Sequence, residues 1–294
     1  MSRQVVTLLG GTGFVGRALA QRLAATETDV RLVARHAVSD HKLASGVSLL
    51  QADVRDPEAM RRALTGCDAA VYLPGLVQAR HRRAFQEIHA EAAGHCAALA
   101  RELGLSRFVY LSALGVASNA PAWSDQTKAE GEQAVTRAFP GAVVLRPSLI
   151  LGPSDHFSTE MTGLMRRLPL LPVIGPRTKV QPVHVDDVAE ALCRLLSGHQ
   201  PPAGMTQAAG PQVWQLVDLL AELRRRAGAS CRLLALPDPL AMVLASLAGM
   251  LPGAPLCRDQ VRLMRTDKIA EAGHPDLRVL GIMPRHPLDT GTKE

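Results

Sequence analysis

A glycine-rich turn near residue 10 has the pattern expected of a phosphate-binding loop. Gly10, Gly13 and Gly16 stand in "VVTLLGGTGFVGRAL", a G-x-x-G-x-x-G pattern that follows one apolar run and opens a second. Glycines let the backbone turn tightly beside a pyrophosphate, and the N-terminus of the following helix presents free N–H groups. The pattern alone is weak, but its place between a predicted strand and a predicted helix favours a dinucleotide site over a turn that binds nothing.

The residues after the second apolar run indicate which dinucleotide is preferred. Arg35, followed by His36, lies nineteen residues after Gly16, where proteins selective for NAD tend to carry an acidic residue that binds the ribose 2′-hydroxyl. A guanidinium instead suits a 2′-phosphate through forked, charge-assisted hydrogen bonds. We therefore predict a preference for NADP(H), with NAD(H) as the second choice. A solvated arginine at a strand end is the alternative interpretation.

A third polar position follows the third apolar run. Asp53 and Val54 lie in "QADVRD", where a carboxylate could accept a hydrogen bond from the adenine amine. Asp53 as an ordinary turn residue is the competing interpretation.

Alternating strands and helices must position these residues. Six short apolar runs, separated by amphipathic segments, predict a Rossmann-like, doubly wound parallel sheet, an α/β fold, over residues 1–150. The predicted strands are "VVTLLG", "DVRLVAR", "GVSLLQAD", "DAAVYLPG", "SRFVYLSA" and "GAVVLRPS". The helical segments between them include Phe14–Ala25, Pro57–Leu64 and Arg80–Leu103.

The regular alternation of strand and helix patterns ends after Pro147, where prolines become frequent and helical patterns dominate. We expect residues 151–294 to form a smaller, mostly helical lobe packed on the carboxyl edge of the sheet. Its predicted helices are His184–Leu196, Val213–Ala227, Leu240–Met250 and Leu256–Arg265.

Composition narrows the classes of partner. Hydrophobic residues make 47% of the chain and charged residues 20%, which is typical of a globular protein. The net charge of +6 fits solvated helix faces, or a basic rim that attracts a phosphorylated ligand or an anionic membrane. Aromatic residues make only 3%, so the stacking surfaces of single-strand nucleic-acid binders are not expected. Five scattered cysteines without a C-x-x-C pair suggest neither a disulfide framework nor a metal site.

Two further features concern location. The sequence "MSRQVVTLLGG" passes directly into a predicted strand, so we expect no signal peptide and a cytoplasmic protein. Pro239–Cys257 carries no charge, but its prolines leave too short a helix to span a bilayer. A core helix is the preferred interpretation, and a helix that lies on a membrane or covers an apolar ligand is the alternative. In the membrane case, Leu244→Glu should weaken liposome association.

Several motifs together resemble the atypical short-chain dehydrogenase/reductase superfamily. Within it, the chain most resembles the nucleotide-binding accessory subunit of respiratory complex I and that subunit's free-standing bacterial relatives. The resemblance rests on "GGTGFVG", "QADVRD", "FVYLSALGV", "TKAEGE", "LRPSLILGPSD" and "VQPVHVDDVAEAL". It implies a bound dinucleotide, and contact with a membrane, a quinone or a respiratory complex as further expectations. The cofactor site is expected to include, besides the residues above, Thr12, Phe14, Val15, Leu73, Pro74, Lys128 and Pro147.

The resemblance also implies a catalytic arrangement, of which one member is missing. Active members combine a serine that orients a carbonyl, a tyrosine that transfers the proton, and a lysine four residues later that lowers the pKa of the tyrosine. This chain matches the serine with Ser112 and the lysine with Lys128, but Ser124 stands at the tyrosine position. His89 replaces an asparagine usual in the family. His89 either packs on the sheet or serves as a relocated acid.

Asp125 and His184 are weaker candidates for such an acid, and His184 is more simply interpreted as a residue that fixes the second lobe. Three hypotheses follow. The first is an NADP(H)-binding protein with a structural, sensing or redox-partner role. The second is an oxidoreductase or isomerase with a relocated acid, acting on an unidentified small apolar substrate. The third is a protein associated peripherally with a membrane, quinone or respiratory complex.

Overall fold

The structure, a computed structural model, describes residues 3–36, 44–199, 204–237, 239–241 and 258–289. Its centre is a seven-stranded sheet in which every neighbouring pair of strands is parallel. The strands are β1 (Gln4–Leu9), β2 (Thr28–Ala34), β3 (Val47–Gln51), β4 (Ala69–Tyr72), β5 (Arg107–Leu111), β6 (Val143–Pro147) and β11 (Met205–Ala208). Their order is β11-β6-β5-β4-β1-β2-β3, a doubly wound arrangement. The predicted Rossmann-like fold is confirmed, because all six strands expected in the first half belong to this sheet.

Helices cover both faces of the sheet, as continuous apolar strands require. The helices are α1 (Phe14–Ala24), α2 (Pro57–Leu64), α3 (Arg82–Gln86), α4 (Ala92–Glu102), α5 (Trp123–Ala138), α6 (His156–Arg167), α7 (Val185–Leu196), α8 (Leu216–Arg226) and α9 (Arg258–Leu263). Side chains of α1 and α7 pack in the core on one face, and those of α2, α4 and α5 pack in the core on the other. Local sequence explains several of the helix starts. Asp56, for example, accepts hydrogen bonds from the first turn of α2, which begins with Pro57.

The helix predicted over Arg80–Leu103 forms as α3 and α4 joined by a π-helical turn, Glu87–Glu91. This turn carries the His89 carbonyl outward, where it accepts a hydrogen bond from Tyr110 Oη at 2.9 Å. Gly131 of α5 packs directly on this point. A Cβ atom at Gly131 would lie 2.0 Å from the His89 carbonyl oxygen and 2.5 Å from Tyr110 Oη. The close approach of the two helices therefore depends on a glycine.

We expect Gly131→Ala to lower the free energy of unfolding by about 1–3 kcal/mol or more, because overpacking a core usually has a cost of this size. Gly163→Ala, in α6, is the matched control because a Cβ atom there meets nothing within 4 Å. That control should stabilise by about 0.5–1 kcal/mol through helix propensity. Urea denaturation measures both differences. Equal stability of the two variants would contradict the described contact.

The second half of the chain returns to the central sheet. Strand β11 pairs with β6, and α7 packs on α1, so the sheet is not confined to residues 1–150. The division of the chain at residue 150 stays a prediction. The other strands that the structure describes form three two-stranded sheets: β7 (Ile150–Leu151) with β10 (Val183–His184), β9 (Lys179–Val180) with β12 (Trp214–Gln215), and β8 (Leu170–Ile174) with β13 (Arg232–Leu236).

Apart from residues 239–241, the apolar segment Pro239–Cys257 lies outside the described residues, and so does Leu244. Among the helices that the structure does describe, none combines the length and the hydropathy needed to cross a bilayer.

Candidate dinucleotide site and adjacent cavity

The glycine turn joins β1 to α1 as its sequence predicts. Gly10 adopts a φ of 77°, which glycine tolerates without strain. Gly13 is the N-cap of α1, and no side chain caps that helix. A Cβ atom at Gly16 would lie 2.5 Å from the Gly11 carbonyl oxygen, so a larger residue would push the helix away from the turn. The uncapped helix N-terminus and its dipole form a site suited to a phosphate group.

A cavity of about 870 Å³ opens over this turn at the carboxyl end of the sheet. Twelve of the fourteen residues predicted to bind the cofactor line it, namely Gly10, Thr12, Gly13, Phe14, Val15, Gly16, Arg35, His36, Val54, Leu73, Pro74 and Lys128. Sequence reasoning missed Gly75, Leu76, Val77 and Ile88, which complete one wall. Gly75, Leu76 and Val77 continue the loop that Leu73 and Pro74 begin. Their place directly after two predicted site residues could have indicated that they line the same cavity. The volume is ample for a dinucleotide-sized ligand.

Arg35 lies exposed at the end of β2, where the cavity meets solvent. Among the described residues, no hydrogen bond or ion pair engages its guanidinium. Asp53 does not line the cavity. Its carboxylate accepts two hydrogen bonds from the Arg55 guanidinium, at 3.0 and 2.7 Å. The hydrogen bond from Arg55 lowers the pKa of Asp53 to about 2. The geometry thus leaves Arg35 available to an anion and favours the interpretation of Asp53 as a turn residue.

A second cavity of about 280 Å³ adjoins the first one. Leu76, Val77 and Lys128 line both cavities. Pro147, which was predicted to contact the cofactor, lines this second cavity and not the first. Ser124 lies in its wall, one helical turn before Lys128 on α5, so the two side chains share a face of that helix.

Lys128 occupies the boundary between the two cavities. Its Nζ donates a hydrogen bond to the Ser112 carbonyl oxygen at 3.1 Å. Burial lowers the pKa of Lys128 to about 8, although the negative charge of Asp125 acts in the opposite direction. Lys128 therefore lines both cavities with an ammonium group that loses its proton more readily than an ordinary lysine does.

These observations can be set beside known proteins. Residues 10–142 match a family model described as NAD(P)H-binding. A ceramide reductase of Caulobacter vibrioides is 32% identical over 248 residues, which cover 81% of this chain and 75% of that protein. The chain belongs to the atypical short-chain dehydrogenase/reductase superfamily.

Two further comparisons agree with this membership. The mitochondrial NADH dehydrogenase [ubiquinone] 1 alpha subcomplex subunit 9 of Mus musculus is 27% identical over 296 residues, which cover 97% of this chain and 78% of that protein. The crystal structure of a nucleoside-diphosphate-sugar epimerase from Staphylococcus aureus superposes with a TM-score of 0.74 at 15% identity, over 97% of this chain and 98% of that one. At that identity, the likeness to the epimerase shows the fold alone.

Ser112, which the resemblance predicts to be the carbonyl-orienting serine, lies away from both cavities. The Ser112 hydroxyl donates to Glu132 Oε1 at 2.5 Å, and Glu132 forms a salt bridge with Arg146. Ser112 lines neither cavity, whereas its neighbour Ala113 lines the second one. The structure therefore does not bring Ser112 together with Lys128 and Ser124 as a carbonyl-orienting group. The position that does face the cavity is an alanine.

Ser124, which the resemblance predicts at the superfamily's tyrosine position, is 4% exposed. Its backbone N–H donates to Asp259 Oδ2 at 3.3 Å, but its hydroxyl has no hydrogen-bond partner among the described residues. The tyrosines of the chain, Tyr72 and Tyr110, are buried on the sheet and donate to backbone carbonyls. Neither phenol lines either of the two cavities.

His89 is fully buried, and both of its ring nitrogens have partners. Nε2 accepts from the Leu76 backbone N–H at 2.9 Å, and Nδ1 lies 2.9 Å from Thr127 Oγ1. Because an N–H group must donate to Nε2, the ring proton belongs on Nδ1 and is donated to Thr127. Burial, followed by the charge of Lys128, lowers the pKa of His89 to about 3. This geometry favours His89 as a neutral residue that holds the cavity loop at Leu76, rather than as a relocated acid.

A neutral buried histidine makes stability depend on pH. An unfolded chain protonates this imidazole below about pH 6.5, whereas the folded protein does so only near pH 3. The unfolded state therefore binds more protons across that interval, and stability falls as the pH falls. We expect the melting temperature to drop more steeply from pH 6.5 to pH 4 in the wild type than in His89→Asn, whose amide does not titrate. Parallel curves for the two proteins would contradict this assignment.

The two weaker candidates for an acid also have structural partners. Asp125 forms a buried ion pair with Lys268, with both carboxylate oxygens 2.8 Å from Nζ. His184 caps α7 by accepting from the Asp186 N–H at 3.2 Å, while its Nε2 lies 3.1 Å from the Asp289 carbonyl oxygen. The geometry therefore supports His184 as a residue that fixes the second half of the chain.

Proposed function

We propose that the protein binds NADP(H) and does not turn it over by the superfamily's serine–tyrosine–lysine mechanism. One observation carries the proposal. The large cavity has a glycine turn on one wall, and Arg35 lies at its mouth without an ion-pair partner among the described residues. Lys128 lies at the inner boundary of this cavity, where Ser124 and Ala113 line the adjoining cavity in place of a phenol and a serine hydroxyl. This arrangement supports a protein that binds the dinucleotide and lacks the superfamily's proton-transfer group.

The lining residues fit the parts of such a cofactor. N–H groups of the Gly10–Gly16 turn would hold the pyrophosphate, and Arg35 would pair with the 2′-phosphate by charge-assisted hydrogen bonds. Lys128 would donate to ribose hydroxyls. The apolar loop Leu73–Val77 would exclude water from the cofactor ring that lies beside it. A bound NADP(H) would supply or accept a hydride.

We propose that the protein has a structural role, senses the dinucleotide, or serves as a redox partner. We place it in the cytoplasm, in contact with a respiratory complex at the inner face of a membrane. The name of the mouse relative, a mitochondrial NADH dehydrogenase subunit, motivates this part of the proposal. Co-sedimentation with membranes at low salt, lost at high salt, would support it.

A second candidate is an oxidoreductase or isomerase with a relocated acid. The position of Lys128 between the two cavities favours it over His89 for that role, since it is the titratable residue that lines both. The name of the Caulobacter vibrioides relative, a ceramide reductase, agrees with such an activity. The protonated amine of Lys128 would donate to a substrate oxygen and regain its proton from solvent.

Two measurements test the leading proposal. The nucleotide that co-purifies with the protein should be NADP(H), as identified by mass spectrometry of the denatured sample. Calorimetry should then give a lower Kd for NADPH than for NADH. A protein that binds neither nucleotide would refute the proposal, and steady oxidation of NADPH with a ketone substrate would favour the second candidate.

A further inference from the structure

The small parallel sheet of β8 and β13 is covered completely on only one of its two sides. Leu171, Val173 and Leu233 point to the covered side, where they pack with side chains of α6 and α8. The alternate residues point to the other side, because successive side chains of a strand face opposite ways. Near the carboxyl ends of the strands, Ile174 and Leu236 are covered on that side too, in a small core with α9. Parallel strands are usually covered on both sides, so the part that stays open is a candidate contact surface.

This open face consists of Leu170, Pro172, Arg232 and Leu234. The strand register places Leu170 beside Arg232 and Pro172 beside Leu234, so all four side chains point to the same side. Each of the four residues is exposed, and the two leucines expose 43% and 48% of their surface. Leu168, two residues before β8, is 41% exposed and extends the apolar surface. Clustered exposed apolar residues are typical of a surface that binds a partner.

The charges on the chain segments that build the open face are all positive. Residues 161–174 and 227–236 contain Arg166, Arg167 and Arg232 and no acidic residue. All three arginines are exposed. The described residues provide neither a hydrogen-bond acceptor nor an ion-pair partner for any of the three guanidinium groups. The open face therefore combines leucine side chains with cations that are available to an anionic partner.

An anionic lipid surface offers the chemistry that matches this combination. Acyl chains accept leucine side chains, and headgroup phosphates accept charge-assisted hydrogen bonds from guanidinium groups. The open face has no aromatic side chain, whereas the hot spots of protein interfaces are enriched in tryptophan and tyrosine and depleted in leucine. A second copy of this chain would bring like charges together, which disfavours self-association through this face.

We propose that the open face lies on an anionic membrane surface, with its leucines and Leu168 among the lipids and the three arginines bound to headgroup phosphates. This proposal deepens the membrane contact given under the proposed function, and it rests on that part alone. Dinucleotide binding is separate, because no residue of the open face lines the dinucleotide cavity. Contact with a respiratory complex is also separate, because vesicles made of lipid contain no protein.

Flotation of the whole purified chain with lipid vesicles tests the proposal. Equimolar phosphatidylcholine and phosphatidylglycerol vesicles should bind the protein at low salt, less so at high salt, and more tightly than phosphatidylcholine vesicles do. Arg232→Gln should lower the partition coefficient on the mixed vesicles about fivefold, the contribution of one basic residue near an anionic surface. Leu234→Ser should lower it about 3–12-fold, because about half of a leucine side chain remains to be buried.

Arg62→Gln, on α2, and Val279→Ser, at 51% exposure, are the matched controls, since both change exposed residues outside the open face. The controls should keep the wild-type partition coefficient, and all four variants should keep the wild-type melting temperature.

Three results with lipid vesicles would overturn the proposal: no binding to the mixed vesicles, equal binding to both kinds, or unchanged partition of Arg232→Gln and Leu234→Ser. A dimer that forms without lipid and dissociates in Leu234→Ser would also overturn it, in favour of a second copy. Binding to native membranes without binding to the mixed vesicles would overturn it as well, and would assign the contact to a membrane protein. Calorimetry with NADPH reports separately on the dinucleotide site.

Discussion

Replacing Arg35 by aspartate should narrow or reverse a preference for NADPH over NADH. In the wild type we expect NADPH to bind about tenfold more tightly or better, because each charge-assisted hydrogen bond to the 2′-phosphate contributes about 1.5–3 kcal/mol. Arg35 lies at the mouth of the dinucleotide cavity without an ion-pair partner among the described residues. An aspartate there would repel the phosphate and could accept a hydrogen bond from the 2′-hydroxyl of NADH.

Arg62→Asp supplies the control, because it makes the same charge change at an exposed position on α2 outside the cavity. Titration calorimetry with NADPH and NADH should give Arg62→Asp the same ratio of the two affinities as the wild type. Equal wild-type affinity for NADPH and NADH would show that Arg35 does not recognise the 2′-phosphate.

Restoring the superfamily's hydroxyl groups should create or strengthen ketone reduction. Ser124→Tyr places a phenol on the helix face of Lys128, whose charge lowers the phenol's pKa. The adjoining cavity of about 280 Å³ provides space for part of the ring. Because Ala113 and not Ser112 faces that cavity, the variant designed from the structure is Ala113→Ser combined with Ser124→Tyr. General acid catalysis contributes about 10²–10⁴-fold to a rate.

NADPH oxidation over a panel of ketones, aldehydes and quinones measures the effect. We expect little turnover from the wild type, at most weak activity from Ser124→Tyr, and the largest rate from the double variant. The control for the double variant combines Ala113→Ser with Ser124→Phe. This control keeps the aromatic ring at position 124 and lacks the acidic hydroxyl. Equal rates for the tyrosine and phenylalanine variants would show that the phenol does not act as the acid. Brisk wild-type turnover that survives Ser124→Ala and is lost in His89→Ala would instead restore His89 as a relocated acid.

Features set by local sequence were predictable here, and features set by contact between distant segments were not. The glycine turn, the six strands and the cavity-lining residues near strand ends follow from patterns a few residues long. Strand β11 has only four residues and begins just after Gly204, so it carries little periodicity. The Asp125–Lys268 pair joins residues 143 positions apart, and no spacing rule predicts such a pair.

The orientation of Ser112 away from the two cavities has a different physical reason. Successive side chains of an extended segment point to opposite sides, so a shift of one residue exchanges the side that faces a cavity. Ser112 and Ala113 follow β5 directly, and only the structure distinguishes which of them faces Lys128. The resemblance indicates the segment, and the structure shows that Ala113, not Ser112, lines the second cavity.

The wall of the second cavity also sets an order of events during synthesis. Residues 258–289 provide Asp259, which caps α5 at Trp123 N–H with a distance of 2.6 Å, and Lys268, which neutralises Asp125. A ribosome translates the glycine turn and strands β1–β6 long before it reaches these residues. A nascent chain halted ahead of residue 258 would hold the nucleotide-binding half of the sheet while Asp125 lacked its cation and α5 lacked its cap. The dinucleotide cavity can therefore be assembled first, and the wall of the second cavity is completed last.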